Sequence, residues 1–207
     1  MNVILDYDVG NLASVLRGFE QVGIPSIVSK DPEVIKNATS LVLPGVGAFK
    51  DAMEALKKSG LIPYILDHVE KKKYLFGICL GMQLLYEKGY ENGVFDGLGI
   101  LKGSVRFLDI NLKVPQMGWN TLRFEKKDDP ILKYIKEDDY VYFVHSYYVD
   151  SSNTELVAYT EYEKIVPAIV RDQNVYATQF HPEKSGIVGS NILKAYGELI
   201  IWLYFLR

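Results

Sequence analysis

Short apolar runs alternate with amphipathic segments in the N-terminal part of the chain. The runs Val3–Asp6, Ser26–Ser29 and Leu41–Leu43 each have the length of a buried strand. Between the first two, Leu12–Val22 repeats its apolar residues at the spacing of a helix, and Gly23 is a natural stop. Strands that alternate with helices predict an α/β fold around an open, mostly parallel central sheet flanked by helices.

The second part of the chain is richer in glycine and in short strand-like runs, which predicts additional antiparallel strands beside the sheet. Further helices are predicted at Lys50–Ser59, at Pro63–Lys72, from Leu80 to about Lys88, and at Ser185–Leu206. Further strands are predicted at Leu75–Ile78, Trp119–Glu125, Tyr140–Val144, Glu155–Thr160, Ala168–Arg171 and Val175–Phe180. We find no linker or internal repeat, so residues 1–207 are predicted to form a single domain.

Composition excludes several classes of function. The 23 basic and 26 acidic residues leave a formal net charge of −3, which does not indicate a general nucleic-acid binder. The single cysteine, Cys79, excludes an internal disulfide framework and every multi-cysteine metal site. The N-terminus has no signal-peptide pattern, and the apolar run Leu199–Leu206 is shorter than the roughly 20 residues of a spanning helix. We therefore expect a cytoplasmic chain whose last helix docks into the core.

Cys79 lies in the sequence Gly77-Ile78-Cys79-Leu80-Gly81, between a predicted strand and a predicted helix. This is the cysteine form of a nucleophile elbow, a sharp turn that exposes the nucleophile and needs glycines where Cβ atoms would clash. In such a turn the next backbone N–H, from Leu80, points toward an oxyanion on the attacked carbonyl. The alternative is that Cys79 is a small buried apolar residue, which is the commonest role of a free cysteine.

A cysteine nucleophile needs a base, normally histidine, and a group that orients it. His181 and Glu183 are two residues apart on an extended segment and so face the same way, with Pro182 restricting the backbone between them. A strand end with a turn proline and a surface glutamate is the alternative. His145 lies among aromatic residues and is predicted either to belong to the core or to line the site. His68 is predicted to be a surface residue of a charged helix.

A second glycine-rich turn, Pro44-Gly45-Val46-Gly47-Ala48-Phe49, follows the strand Leu41–Leu43. It lacks the third glycine of a dinucleotide fingerprint, and the chain has no GxxxxGK[S/T] phosphate loop. Nucleotide binding is therefore not predicted. A turn at a strand end beside the elbow can instead present backbone N–H groups to an oxyanion.

Several sequence blocks resemble those of the class I (triad-type) glutamine amidotransferases, and the resemblance covers essentially the whole chain. The blocks typical of the class are Pro44–Phe49, Gly77–Gln83 and Gln179–Ser185. The blocks Pro115–Asn120 and Tyr142–Tyr147, with the opening Asp6–Leu12, are similar to those of the glutaminase (HisH-type) subunit of imidazole glycerol phosphate synthase. One departure is Gln116, where many members of that subunit family carry histidine.

This resemblance implies hydrolysis of glutamine to glutamate and ammonia, with no cofactor and no metal. In the implied triad Cys79 is the nucleophile, His181 moves the proton and Glu183 orients His181. The other implied site residues are Gly47 and Leu80 as oxyanion donors, and Gly45, Gln83, Ser146 and Tyr147 as glutamine-binding residues. The family also implies that the Val46–Gly47 peptide reorients before the reaction.

The family further implies a partner that consumes the ammonia, a (βα)₈-barrel cyclase subunit (HisF-type) in a heterodimer. That subunit makes imidazole glycerol phosphate and aminoimidazole carboxamide ribotide in histidine biosynthesis. Residues expected near the interface are Asn11, Met117, Trp119 and Lys184, although Trp119 is equally well explained as a core residue of a strand. Two other functions stay open, a paralogous subunit that supplies ammonia for surface-sugar amidination and a cysteine hydrolase or peptidase on the same elbow. A non-catalytic binding subunit is disfavoured by the presence of Cys79 with His181 and Glu183.

Overall fold

A computed structural model describes residues 1–150 and 155–205 of the chain, with side chains as far as Ile201. In chain order the strands are β1 (Asn2–Leu5), β2 (Ser26–Ser29), β3 (Ser40–Leu43), β4 (Tyr74–Ile78), β5 (Tyr86–Gly89), β6 (Phe95–Asp96), β7 (Leu101–Phe107), β8 (Gln116–Thr121), β9 (Arg123–Phe124), β10 (Tyr140–His145), β11 (Tyr147–Asp150), β12 (Leu156–Tyr162), β13 (Lys164–Asp172) and β14 (Val175–Thr178). The helices are α1 (Leu12–Gln21), α2 (Pro32–Asn37), α3 (Phe49–Ser59), α4 (Ile62–Glu70), α5 (Leu80–Leu84) and α6 (Gly186–Phe205), with 3₁₀ turns at Pro130–Leu132 and Pro182–Lys184.

An eight-stranded sheet forms the centre of the fold, in the order β2-β1-β3-β4-β14-β13-β12-β9. The strands from β2 to β14 run parallel, and β13, β12 and β9 continue the sheet antiparallel. Two smaller sheets, β10-β8 and β11-β7-β5-β6, lie beside it. The predicted α/β fold, with a mostly parallel sheet and additional antiparallel strands, is confirmed.

Successive residues of the parallel strands enter two different cores, because side chains alternate across a sheet. In β1, Val3 and Leu5 belong to the core that also contains residues of α3 and α4. Ile4, between them, belongs to the core that contains residues of α1 and α6, among them Phe19 and Tyr196. Each fully buried aliphatic side chain of this kind stabilises the fold by roughly 1.5–3 kcal/mol.

The prediction of a helix from Leu80 to about Lys88 is correct for the first half of this segment and wrong for the second. The helix α5 ends at Leu84, and Tyr86–Gly89 form a strand that pairs with both β6 and β7. Tyr86 is fully buried opposite Leu101. A short apolar run is compatible with either structure, so the pairing with distant strands decides between them.

The last helix docks against the core, as predicted for the part that the structure describes. In α6, Ile192, Leu193 and Tyr196 are buried, and a Cβ added at Gly197 would lie 2.1 Å from Ile24 Cδ1. The predicted end at Leu206 lies outside the described residues. Within the described part of the chain, no helix is long and apolar enough to cross a membrane.

The topology brings four connecting segments to one edge of the sheet. Since β1, β3, β4 and β14 are parallel, their carboxyl ends lie at the same edge. The segments that follow them are residues 6–11, 44–48, 79 and 179–181. In open α/β sheets the crevice outside these strand ends is where ligands bind.

Candidate active site

The turn between β4 and α5 has the geometry of an elbow. Cys79 has φ 54° and ψ −111°, a strained conformation for a residue with a side chain, and its N–H donates to Thr178 O at 2.7 Å. A Cβ added at Gly77 would lie 3.0 Å from the backbone of Met82, and one at Gly81 would lie 1.9 Å from Leu43 O. Both flanking glycines are therefore required by close backbone approach, as the sequence pattern predicts.

Gly81→Ala tests this packing. The overlap with Leu43 O involves backbone on both sides, so the strand and the elbow must separate to relieve it. We expect a loss of about 3 kcal/mol of folding free energy, or roughly 6–12 °C in melting temperature by calorimetry. The control is Gly23→Ala, at φ +77 with no atom within 4 Å of the added Cβ, which should cost only about 1 kcal/mol. Equal melting temperatures for the two variants would contradict the steric account.

His181 and Glu183 meet as the extended segment predicts. His181 Nδ1 lies 2.8 Å from Glu183 Oε1, and the two side chains are 4% and 2% exposed. The backbone N–H of His181 donates to Tyr142 O at 3.1 Å, and Ser185 Oγ donates to His181 O at 2.6 Å. These bonds fix the turn that carries the pair.

The imidazole of His181 is held in its charged form. Burial favours the neutral ring, but hydrogen bonds and charges from Cys79 and Glu183 outweigh burial and raise the pKa of His181 to about 9. Because Glu183 occupies Nδ1, the other ring nitrogen is the one available to the sulfur. The structure therefore brings Cys79, His181 and Glu183 together in the order that a nucleophile, its base and an orienting carboxylate require.

A cavity of about 330 Å³ opens over this triad. Its lining includes the following residues predicted for the site: Gly47, Cys79, Leu80, Gln83, Ser146, Tyr147 and His181. Gly45 lies beneath, where an added Cβ would be 2.9 Å from Leu80 Cβ and 2.8 Å from Gly81 N. The predicted catalytic, oxyanion and glutamine-binding residues therefore share one cavity, except Gly45, which packs against the elbow, and Glu183, which lies behind His181.

The two predicted oxyanion donors come from different segments. Leu80 is the first residue of α5, where a helix leaves the backbone N–H without an intrahelical acceptor. Gly47 lies in the loop between β3 and α3 at φ +93, and an added Cβ there would meet no atom within 4 Å. Gly47 and Val46 are exposed, so the tip of this loop has room to reorient.

Gln83 connects the elbow helix to the other wall of the cavity. Its Nε2 donates to Tyr147 O at 2.9 Å and to Gln179 Oε1 at 3.0 Å. Gln179 Nε2 lies 3.8 Å from Cys79 Sγ. This network holds the Ser146–Tyr147 segment at a fixed position relative to the sulfur. Gln179 belongs to the block Gln179–Ser185, but no sequence pattern indicated that its own side chain would contact the sulfur.

The other two histidines are both buried. His145 lines the cavity and its Nδ1 lies 2.9 Å from Tyr147 O, which accepts a hydrogen bond from the ring. Burial lowers the pKa of His145 to about 4, so this ring is neutral. The prediction that His68 is a surface residue is wrong, since it is 2% exposed with Nε2 3.1 Å from Tyr74 O. His68 lies one helical turn after buried Ile65 and so shares its inner face.

Glu91 is a residue of the cavity that no sequence pattern predicts. It lines the cavity, and its Oε2 accepts a hydrogen bond of 2.7 Å from Phe49 N at the start of α3. It stands in a glycine-rich stretch after β5, and no local pattern distinguishes it from the other surface carboxylates. Only the packing of this stretch against α3 brings its charge to the site.

The four residues predicted for a partner interface are all exposed. Met117 and Trp119, on β8, are 62% and 53% exposed, which excludes Trp119 as a core residue. The Trp119 ring contacts that of Tyr142 edge-on at 5.9 Å. Asn11 caps α1 and Lys184 lies in the turn after His181, beside the triad.

Comparison with known proteins identifies the class. Residues 3–195 match the family model of class-I glutamine amidotransferases. The fold is similar to that of a solved glutamine amidotransferase, with a TM-score of 0.74 at 19% identity over 96% of this chain and 97% of that one. The structure of PurLQS from Thermotoga maritima gives a TM-score of 0.72 at 18% identity over 100% and 98%. The chain belongs to the class-I glutamine amidotransferase family.

Within that class, several proteins similar to this chain carry the name imidazole glycerol phosphate synthase subunit HisH. The HisH of Caldanaerobacter subterraneus subsp. tengcongensis is 50% identical over 198 residues, or 95% of this chain and 97% of that protein. That of Lactococcus lactis subsp. lactis is 49% identical, with 96% and 98% covered. That of Aquifex aeolicus is 49% identical, with 93% of each covered. The chain is thus a member of the HisH branch.

Proposed function

We propose that this chain is the glutaminase subunit of an imidazole glycerol phosphate synthase, which hydrolyses glutamine and supplies ammonia for histidine biosynthesis. The observation that carries the proposal is the assembly of Cys79, His181 and Glu183, with Cys79 and His181 lining one cavity and Glu183 bonded to His181. Full-length similarity to HisH proteins supports the pathway. A nucleophilic thiol must stay reduced, and the cytoplasm keeps thiols reduced, which supports a cytoplasmic location.

The triad geometry supports a two-step reaction. In the first step the Cys79 thiolate attacks the carboxamide carbon of glutamine, and the protonated His181 gives its proton to the departing ammonia. In the second step water attacks the γ-glutamyl thioester, with His181 taking the proton, and glutamate leaves. Glu183 keeps the imidazole oriented in both. The N–H groups of Gly47 and Leu80 bind the oxyanion of each tetrahedral intermediate.

The cavity lining supports recognition of an amino acid. Glu91 places a carboxylate at the wall, and a carboxylate binds the α-ammonium group of glutamine. Gln83 and the Ser146–Tyr147 segment hold the α-ammonium and α-carboxylate groups between them. Both N–H groups of the Gln83 amide already donate to Tyr147 O and Gln179 Oε1, so its own Oε1 is left to accept from the ammonium. A free amino acid and a peptide differ in these two charged groups, so this arrangement disfavours peptidase activity.

Glu91→Gln tests the recognition of the α-ammonium group. The amide oxygen can still accept the hydrogen bond from Phe49 N, but the negative charge is lost. We expect the KM for glutamine to rise about 10- to 100-fold with a smaller change in kcat, because a hydrogen bond to a charged group is worth about 1.5–3 kcal/mol. Steady-state glutamate formation measures both constants. The control is Glu87→Gln, which alters a carboxylate bound to Gly103 N outside the cavity. Equal KM values for the two variants would refute the assignment.

We further propose that the partner is a (βα)₈-barrel cyclase subunit of the HisF type. The exposed Met117 and Trp119 are large apolar side chains of the kind that interface cores bury, which supports a protein contact on this face of β8. Asn11 and Lys184 add polar contacts. Gln116, where many members of the subunit family carry histidine, is fully buried opposite His145. This departure therefore does not alter the surface proposed for the partner.

The decisive experiment measures glutamate release by the purified chain alone and with the cyclase subunit and its nucleotide substrate. We expect glutaminase activity that the partner and nucleotide stimulate, and labelling of Cys79 by a glutamine-like chloroketone. Failure of the chloroketone to label Cys79 would refute the catalytic proposal. Consumption of the ammonia by a sugar acceptor, with none by the nucleotide, would instead favour the surface-sugar alternative.

A further inference from the structure

A buried hydrogen bond ties the base of the Pro44–Ala48 loop to the strand next to it. Tyr7 follows β1, and its hydroxyl donates to Pro44 O at 2.5 Å. Tyr7 is 1% exposed, so water does not compete for this bond. Burial raises the pKa of Tyr7, as does the nearby charge of Cys79, so the phenol stays protonated and remains a donor at neutral and alkaline pH.

The residue after Pro44 contacts both this hydroxyl and the elbow. A Cβ added at Gly45 would lie 3.1 Å from the Tyr7 hydroxyl, 2.9 Å from Leu80 Cβ and 2.8 Å from Gly81 N. The Pro44–Gly45 segment therefore sits against Tyr7 and against the first turn of α5 at once. Whatever shifts this segment changes its position relative to the N–H of Leu80.

The same loop has a fixed base and a free tip. Because β1 and β3 are neighbours, the segment after β1 lies beside the loop after β3, and a Cβ added at Gly10 would be 3.3 Å from Pro44 Cβ. Pro44 and Gly45 are buried, whereas Val46 and Gly47 are exposed. Contacts with the segment after β1 thus hold the base, and the tip carries the N–H proposed as an oxyanion donor.

We propose that Tyr7 is a positioning residue of the oxyanion hole, which sets the separation between the N–H groups of Gly47 and Leu80 by holding Pro44. Two donors can bind one oxyanion only if each lies about 2.7–3.1 Å from it. A misplacement of about 1 Å can cost about 10²-fold in rate. This inference rests on the proposed glutaminase function, since it concerns the step at which the glutamine carbonyl oxygen becomes negatively charged.

Tyr7→Phe keeps the ring and removes the hydroxyl. In the complex with the cyclase subunit, we expect kcat for glutamine hydrolysis to fall about 10- to 100-fold, with KM changed by less than about threefold. The second readout is alkylation of Cys79 by iodoacetamide, a displacement at a CH₂ group in which no oxyanion forms. We expect its rate to stay at the wild-type value, because the sulfur and His181 are unchanged.

Tyr196→Phe is the matched control. Tyr196 is fully buried, and its hydroxyl is bonded to Ser40 Oγ at 2.7 Å, at the end of β3 away from Pro44. The control removes the same group from an equally buried, hydrogen-bonded tyrosine outside the site. We expect kcat at the wild-type value, while melting temperatures of both variants report the cost to the fold.

If the wild-type complex hydrolyses glutamine, three results would overturn the inference about Tyr7. These are an unchanged kcat in Tyr7→Phe, a fall in the alkylation rate in parallel with kcat, and an equal loss of kcat in Tyr196→Phe. A wild-type complex with no glutaminase activity would overturn the proposed function, and this inference with it. The two failures are therefore distinguishable.

Discussion

Cys79→Ala is expected to abolish glutamine-dependent synthesis of imidazole glycerol phosphate and to leave ammonia-dependent synthesis by the complex intact. Without the thiolate no thioester can form, and loss of a nucleophile in a triad costs on the order of 10⁶-fold in rate. In the proposed complex the cyclase subunit joins free ammonia to its nucleotide substrate, so an ammonium salt at alkaline pH replaces glutamine as the nitrogen source. Product formation with each nitrogen source measures the two activities separately.

The ammonia-dependent rate is also the control for folding and assembly of the variant. The methyl group of alanine fits where the buried thiol stood, and the elbow keeps its two glycines. Loss of both activities to the same extent would contradict the division of labour between the subunits. Retention of glutamine-dependent synthesis would show that Cys79 is not the nucleophile.

Glu183→Gln is expected to lower kcat for glutamine hydrolysis about 10- to 100-fold and to change its pH dependence. The carboxylate helps to raise the pKa of His181 to about 9, so the imidazolium that protonates the ammonia persists up to about that pH. An amide still accepts a hydrogen bond from Nδ1 but carries no charge, and each pKa unit corresponds to 1.36 kcal/mol. Since the lost charge favoured the protonated form, the alkaline limit of activity should move to lower pH. Initial rates measured across the pH range test both expectations.

The matched control is Glu198→Gln. Glu198 pairs with Lys133 at 2.6 Å on the surface, away from the cavity, so its neutralisation should change neither kcat nor the pH profile. A Glu183→Gln enzyme with the wild-type alkaline limit would show that Glu183 does not stabilise the imidazolium. A shift toward higher pH would have the wrong sign for the proposed charge interaction.

Local patterns were sufficient for the parts of the site that lie close together in the chain. The glycines at positions 77 and 81 predicted the turn, because the strand-to-helix geometry leaves no room for their Cβ atoms. His181 and Glu183 could be paired from an i, i+2 spacing on extended backbone, and the structure has them 2.8 Å apart. The two-residue period needs no knowledge of the remaining fold.

Sequence patterns gave wrong predictions where the contacts that decide a residue's structure come from residues distant in the sequence. The helix predicted to about Lys88 ends at Leu84, because pairing with β7 and β6 makes Tyr86–Gly89 a strand. His68 was placed on the surface by its charged neighbours, but the helix face it shares with Ile65 is buried. The periodicity of apolar residues over so short a segment does not distinguish a helix from a strand, or a buried helix position from an exposed one.

What the sequence by itself determined is the α/β class, the elbow around Cys79, the His181–Glu183 pair and the resemblance to an amidotransferase family, since each depends on residues within one short segment. Only the tertiary structure brought Glu91 to the cavity, linked Gln83 through Gln179 to the sulfur and placed the Tyr7 hydroxyl on Pro44. Those contacts depend on strand order at the carboxyl edge of a parallel sheet, which joins segments that are distant in the chain. The side chains themselves carry no local signal of that order.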